Sequence, residues 1–268
     1  MTQGVKHIIA VASGKGGVGK STVTANLALA LAAQGKRIGV LDADIYGPSQ
    51  AQMFGIQPDQ KPQSADGQSF TPLIAKGIQL MSMAFLVDQK TPMIWRGPMA
   101  SGAFQQLLNQ THWDNVDFLL IDMPPGTGDI QLTLAQKVKV SGAVIVTTPQ
   151  DIALLDAKRG IEMFRQVKVP VLGVVENMSL HTCSACGHSE PLFGEGGGQR
   201  IAEEYQTELL GQLPLALGIR QQMDAGASSI ESDPEGSAAR TFFAIANRVC
   251  EKVEEPSDEE GPEITFSE

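Results

Sequence analysis

The 268-residue chain is poor in cysteine, with three, and in aromatic residues, at 5%. Three cysteines cannot build the bridge framework of small secreted domains, so a reducing cytosol is the default compartment. Scarce aromatics weigh against sheet sandwiches and tilt the balance toward α/β. No stretch of 18 apolar residues occurs, so nothing reads as a membrane span. The N-terminus, MTQGVKHIIAVASGKGG, meets Gly and Lys too early for a secretory signal. Basic residues are outnumbered, 20 against 30. Seven of those acids lie between Glu254 and Glu268, a stretch without a base, so residues 1–253 hold 23 acids against 20 bases, a net −3. The body is nearly neutral, and the tail, 254–268, reads as disordered and acidic. Neither part attracts nucleic acid or anionic lipid, so neither a nucleic acid nor a membrane is expected as a partner.

Apolar residues make up 42% of the chain and glycines number 28, a composition suited to one folded domain over 1–253. His7 to Ala12 is a short apolar run followed by a Gly-rich turn. Ser21 to Ala33 is apolar at helical spacing and stops at Gly35, the C′ position. Arg37 to Leu41 is the next strand, which completes a βαβ unit. Val116 to Ile121, Gly142 to Thr147, Val169 to Val175 and a short piece within Gln206 to Leu213 read as further strands. Ala153 to Val167 and Glu235 to Val253 read as helices, and the polar Gly55 to Thr71 as a loop. Near-continuous apolar strands are buried on both faces, which predicts a mostly parallel, doubly wound sheet with helices on both sides.

Gly14-Lys15-Gly16-Gly17-Val18-Gly19-Lys20-Ser21-Thr22 matches G-x-x-x-x-G-K-[ST] in full, between a predicted strand and a predicted helix. Glycines let consecutive N–H groups turn toward phosphate oxygens, and the helix adds its positive end. Lys20 would reach the β- and γ-phosphates, and Ser21 would place its hydroxyl on Mg²⁺. A second lysine, Lys15, is not needed for that cradle. The nonapeptide resembles the deviant Walker A loop of the MinD/ParA/nitrogenase-iron-protein class of P-loop ATPases. The resemblance implies that Lys15 crosses a dimer interface to the partner's nucleotide; a solvated loop lysine is the plain alternative.

Asp42 and Asp44 follow the second strand, where carboxylates face the ligand crevice of a parallel sheet. One would serve the Mg²⁺ shell or orient the attacking water, while the other could be a simple turn former. The class resemblance assigns Asp44 to the water and Asp42 to its support. Asp122 ends the strand FLLID ahead of Pro124-Pro125-Gly126, a Walker B arrangement that would hold Mg²⁺ through water, with a following segment placed to sense the γ-phosphate. Asn177 ends the strand VLGVVEN. In related ATPases an Asn here reads the adenine edge, and an amide has the donor and acceptor for it; a capping Asn is the alternative.

Cys183 and Cys186 form a C-x-x-C turn, which can bring two sulfurs onto one metal centre. His181 and His188 flank them, so a zinc clip is conceivable from the spacing. Together with IDMPPGTGD, the segment Trp95 to Met99 and the downstream FGEGGG, the motif resembles the Mrp/ApbC family of P-loop iron–sulfur cluster carriers over about His7 to Val253. The resemblance implies that paired cysteines of two subunits share a [4Fe–4S] cluster, here on Cys183 and Cys186. It also implies a homodimer that uses ATP and Mg²⁺ and delivers the cluster to apo iron–sulfur proteins. Many members carry an extra N-terminal domain that this sequence does not show, and its central Ser184-Ala185 replaces a Pro-containing pair. Cys250 reads as a helix-buried thiol. A MinD-like or ParA-like positioning ATPase would want a basic amphipathic end or a basic stripe, neither of which the sequence has.

Overall fold

The computed structural model describes residues 2–64, 67, 69–86 and 97–254. Trp95, Arg96 and the acidic tail from Glu255 onward therefore lie outside the described residues. The chain opens with β1 (Val5–Ala12), α1 (Lys20–Ala33), β2 (Ile38–Asp42) and the short α2 (Gln50–Met53). A hairpin, β3 (Leu73–Ala75) and β4 (Ile78–Ser82), precedes α3 (Gly97–Gln110), β5 (Val116–Asp122) and α4 (Asp129–Lys137). Then come β6 (Gly142–Thr147), α5 (Asp151–Gln166), β7 (Val171–Glu176) and a two-residue ribbon, β8 (His181–Thr182) with β9 (Ser189–Glu190). The last third holds α6 (Gly197–Glu204), β10 (Leu209–Gln212), α7 (Leu217–Asp224), α8 (Ser229–Ser232) and α9 (Ser237–Glu254).

Eight strands form one sheet in the order β10-β7-β6-β1-β5-β2-β4-β3, parallel except for the edge strand β3. Alternation explains its burial. Along β1, Ile9 and Val11 join one core and Ile8, Ala10 and Ala12 the other, as period-2 geometry requires of a strand covered on both faces. The first core is closed by Val23, Leu27 and Leu31 of α1 with Phe242, Ile245 and Val249 of α9. The second is closed by Phe104 and Leu107 of α3 with Ile161 and Phe164 of α5. Each fully buried side chain of this kind contributes about 1.5–3 kcal/mol. The doubly wound α/β sheet expected from the sequence is present. Among the described residues no helix is long and apolar enough to cross a membrane.

Gly35 ends α1 as anticipated. Its N–H donates to Ala32 and that of Lys36 to Leu31, the paired bonds that satisfy the last carbonyls of a helix. One strand starts later than its apolar run suggests. β7 begins at Val171, because Pro170 has no N–H to give to the ladder and contributes only its carbonyl, to Ala143.

Chain reversal places the site. From β1 the chain moves past β5 to β2, whereas β6, β7 and β10 lie on the other side of β1. A crevice opens at such a switch point, at the carboxyl ends of the strands. The phosphate loop, Asp42 and Asp122 all leave the sheet there, with Asp42 and Asp122 in direct register on β2 and β5.

Candidate nucleotide and metal-cluster sites

The phosphate loop runs from the end of β1 into α1 and is shaped by close approach. A Cβ at Gly14 would come within 2.1 Å of the Asp156 carbonyl group on α5, so no side chain fits there. Gly19 has φ +84° and faces the Asn177 amide, where a Cβ would lie 2.2 Å from Nδ2. Glycine alone meets both demands. Gly16 and Gly17 are exposed at the rim, and Val18 is buried beneath them. Gly19 opens α1, so the loop aims the positive end of a helix at its own mouth.

Lys20 is buried and its ammonium pairs with Asp122. Asp44 Oδ2 lies 4.0 Å from the same nitrogen, and Ser21 Oγ 3.4 Å away. Lys20, Ser21, Asp44 and Asp122 are thus brought together as the sequence suggested. Asp42 sits one step back. It is fully buried, and its oxygens accept N–H bonds from Asp44 at 3.1 Å, Ser49 at 2.9 Å and Gln50 at 3.0 Å. Burial first, and the neighbouring Asp122 carboxylate second, push its carboxyl up to about 7, against the pull of those N–H groups. Asp42 therefore shapes the loop that presents Asp44. Asp44 Oδ1 accepts from the N–H groups of Tyr46 and Gly47, each at 3.2 Å, which leaves Oδ2 toward Lys20. The Pro124-Pro125-Gly126 segment is tied to the base of the phosphate loop by Gly126 N–H on the Ser13 carbonyl, at 2.9 Å.

Lys15 is half-buried at the rim, its carbonyl accepting from Ser13 Oγ at 2.9 Å. Among the described residues no carboxylate forms an ion pair with it. Thr22 lies one turn before Asn26, whose side-chain amide donates to the Thr22 carbonyl at 3.0 Å. Asn177 is drawn to the loop. Its Nδ2 donates to the Val18 carbonyl at 2.8 Å, while its Oδ1 accepts from Met178 N–H at 2.9 Å. The amide thus anchors the phosphate loop from behind.

The cysteines lie on a projecting ribbon. β8 and β9 pair antiparallel, Cys183 N–H donates to His188 at 2.8 Å, and Gly187 N–H returns to the Cys183 carbonyl at 2.9 Å. Cys183 is half-buried and Cys186 exposed, and both are free thiols. The backbone N–H groups of Cys186 and then Ala185 point at the Cys183 sulfur and hold its thiol below the usual range. Such a turn presents two sulfurs side by side to a soft metal centre. His181 is turned away, its Nδ1 3.2 Å from the Leu215 carbonyl. Among the described residues no group of three or more His, Cys, Asp or Glu converges to hold a metal ion.

Comparison with known proteins shows the family. Residues 4–250 match the ParA family model described as the NUBPL iron-transfer P-loop NTPase. The chain belongs to this family. An iron–sulfur cluster carrier protein of Pseudomonas fragi is 62% identical over 242 residues, 90% of this chain and 84% of that protein. An iron–sulfur cluster transfer protein of Mus musculus is 47% identical over 94% of this chain and 79% of its own length. Among solved structures, a nucleotide-binding protein from Archaeoglobus fulgidus in complex with ADP superposes with a TM-score of 0.76 at 40% identity, over 89% of this chain and 92% of that one. A cell division ATPase MinD from Pyrococcus furiosus, at 23% identity and a TM-score of 0.68 over 91% and 98%, shares the fold. The chain is accordingly a P-loop ATPase.

Two residues of this NTPase's site carried no signal in the sequence. Gln50 is fully buried, and its Nε2 donates to Asp122 Oδ2 at 2.8 Å and to the Ser21 carbonyl at 3.0 Å. Thr24 Oγ1 lies 3.2 Å from Asp122 Oδ1 and 3.0 Å from the Lys20 carbonyl. Together with Lys20 they hold both oxygens of Asp122 in place. Gln50 reads as a loop glutamine until the fold brings α2 under the phosphate loop.

Proposed function

We propose that this protein binds and hydrolyses ATP, carries a [4Fe–4S] cluster between the C-x-x-C turns of two copies, and passes it to apo iron–sulfur proteins. The observation that carries this reading is the pair Cys183 and Cys186. They are two sulfurs on one projecting turn of a P-loop NTPase, without further ligand side chains converging among the described residues. Two thiolates are half of what a [4Fe–4S] cluster takes. A twofold axis doubles them, and a dimer also gives Lys15 a partner's nucleotide to reach. Free thiols suit a reducing compartment such as the cytosol.

The residues around the phosphate loop fit Mg²⁺, because Asp122, Asp44 and the Ser21 hydroxyl offer hard oxygen donors clustered around the Lys20 ammonium. When bound, the ion neutralises charge on the β- and γ-phosphates. The chain's own groups do the rest. Backbone N–H groups of Gly16 to Lys20 cradle the phosphates, and Lys20 exchanges Asp122 for a phosphate oxygen. Asp44 Oδ2 orients the attacking water, Lys15 of the partner subunit meets the developing charge, and Asn177 contributes its amide to the base edge.

Anaerobic reconstitution with iron and sulfide tests the reading. Four irons per two chains are expected, with loss of the cluster in Cys183→Ala or Cys186→Ala and retention in Cys250→Ala. Four irons per single chain, a full cluster in Cys183→Ala, or a colourless protein with stoichiometric zinc would overturn it.

A further inference from the structure

The parallel strands begin on the edge opposite the crevice, and lysines gather there. Lys6 stands second in β1, Lys36 and Arg37 precede β2, Lys137 and Lys139 precede β6, and Lys168 precedes β7. Of the acids on this edge, Asp117 is held by Lys6 and Arg37, and Glu208 by Arg248 and Lys252. Asp114 is exposed and forms no ion pair among the described residues. Lys137, Lys139 and Lys168 are likewise exposed and without an ion pair among the described residues. Two adjoining hollows of about 430 and 350 Å³ lie between them. Lys6 and Lys137 reach the first and Lys168 the second, while Lys139 stands with Val138 and Val140 on the wall they share.

The last helix, α9, ends on the same edge, where Glu254 Oε1 accepts from Lys36 Nζ at 2.5 Å. Lys36 adjoins Arg37, Arg37 shares Asp117 with Lys6, and Lys6 lines the first hollow. A row of charged side chains therefore leads from Glu254 to the lysines. Residues 255–268 carry six acids, no base, and the apolar Ile264 and Phe266. A coil of that length spans about 20 Å on average and at most about 46 Å. From β2, which Lys36 precedes, to β7, which Lys168 precedes, the strand order β2-β5-β1-β6-β7 gives a distance of about 19 Å. The natural reach of the segment matches the width of the lysine edge.

We propose that the acidic segment 255–268 docks on the amino-end edge of its own chain, with its carboxylates on Lys137, Lys139 and Lys168 and its apolar Ile264 and Phe266 over the valine-lined hollows. Charge complementarity and reach single out this occupant. Each exposed ion pair is weak alone, but a tether whose span matches the distance holds the segment at about millimolar concentration. The docked segment shields the lysine edge from other anionic partners, and the nucleotide crevice at the opposite edge stays open. The proposal is independent of ATP and of the cluster.

Carbodiimide, which joins a carboxylate to an amine in contact with it, tests the docking on the full chain. A mixture of ¹⁴N- and ¹⁵N-labelled chains separates links within one copy from links between copies. Mass spectrometry should find segment 255–268 joined within one copy to Lys137, Lys139 and Lys168, and far less to Lys61, an equally exposed lysine. Fluorescent poly-L-glutamate at low salt gives the second reading. Replacing Glu255, Asp258, Glu259, Glu260, Glu263 and Glu268 by their amides should tighten its binding about tenfold, the advantage a millimolar tethered competitor removes when it binds at about 0.1 mM. Adding Lys137→Gln, Lys139→Gln and Lys168→Asn should abolish that gain. Asparagine suits the left-handed φ of +57° at Lys168, and the other two positions are exposed, so folding is not at stake. Links spread evenly over all lysines, links found only between copies, or equal poly-L-glutamate binding with and without the six acids would overturn the proposal.

Discussion

Lys20→Ala is usually read as a loss of phosphate binding, but here it should also unsettle the fold. Lys20 is 5% exposed and its partner Asp122 is fully buried. Removing one member of a buried pair strands the other, at a cost of about 3–5 kcal/mol. Asp122 would keep Gln50 Nε2 and Thr24 Oγ1 as donors, which holds the expected loss near the lower figure. A domain has only about 5–15 kcal/mol in total, so a fall in melting temperature of roughly 10 °C follows. The sign with pH can be worked out from Asp42, whose carboxyl burial and Asp122 push up to about 7. A carboxyl raised in the folded state binds its proton more readily folded than unfolded. Its contribution is complete below the usual carboxylate range and is lost as pH rises through about 7. With Lys20 gone, the Asp42 carboxylate loses a cation that favoured its charged form, so the deficit grows from pH 5 to pH 8. Urea unfolding of the wild type, Lys20→Ala, Asp122→Asn and the double variant at both pH values measures this. The double variant should recover about 1–3 kcal/mol relative to the sum of the singles. A Lys20→Ala deficit below about 1 kcal/mol, or one equal at pH 5 and pH 8, would refute the view that the pair holds the site together.

Lys15→Ala should leave ADP affinity close to that of the wild type and lower the hydrolysis rate by ~10³, as expected when a charge acts only at the transition state; equal loss of binding in Lys15→Ala and Lys20→Ala would deny Lys15 that role. Gln50→Leu keeps the volume but leaves Asp122 Oδ2 without its amide donor, so stability should fall by about 1–3 kcal/mol. In ADP titrations the same variant should need more Mg²⁺ to reach full affinity, while Mg²⁺-free binding stays unchanged.

The fold was legible where burial leaves a long apolar trace. β1, β5 and β6 are near-continuous runs covered on both faces, and α9 repeats its apolar residues along one side. The hairpin β3–β4 was not read although Leu73 to Met81 is mostly apolar, because β3 has only three residues and a two-residue turn, Lys76-Gly77, separates it from β4, so neither piece leaves a long trace of its own. α3 opens with Gly97-Pro98 and carries glycine at 102, so propensity speaks against the helix that packing then imposes. The phosphate loop could be read because its chemistry is local, nine consecutive residues with one task. The bond from Asn177 to Val18 joins residues 159 apart, and that from Gln50 to Asp122 residues 72 apart. Nothing near either residue marks the pairing. Glu176 looks like an interruption of an apolar strand until the Gly198 N–H and the Gln212 amide are seen to meet on it.

The cysteines offer a check on the ribbon that needs neither nucleotide nor iron. A thiol reacts as its thiolate, so its rate with iodoacetamide follows its pKa and its access. Cys183 is held below the usual range by the N–H groups of Cys186 and Ala185. Cys250, in α9, is pushed up by burial. The same two neighbours that would anchor a metal-bound sulfur therefore also make Cys183 the earlier thiolate. Lowering the pH from 8 to 7 should cost Cys183 less of its rate than an ordinary thiol, whose thiolate fraction falls nearly tenfold over about one unit below its pKa. Cys250 should stay unlabelled until the protein is denatured. Mass spectrometry of the chain after timed alkylation locates each label. If Cys250 reacted first in the native chain, or if Cys183 followed the pH dependence of a free thiol, the turn would not be presenting its N–H groups to sulfur, and the geometry proposed to receive the cluster would be wrong.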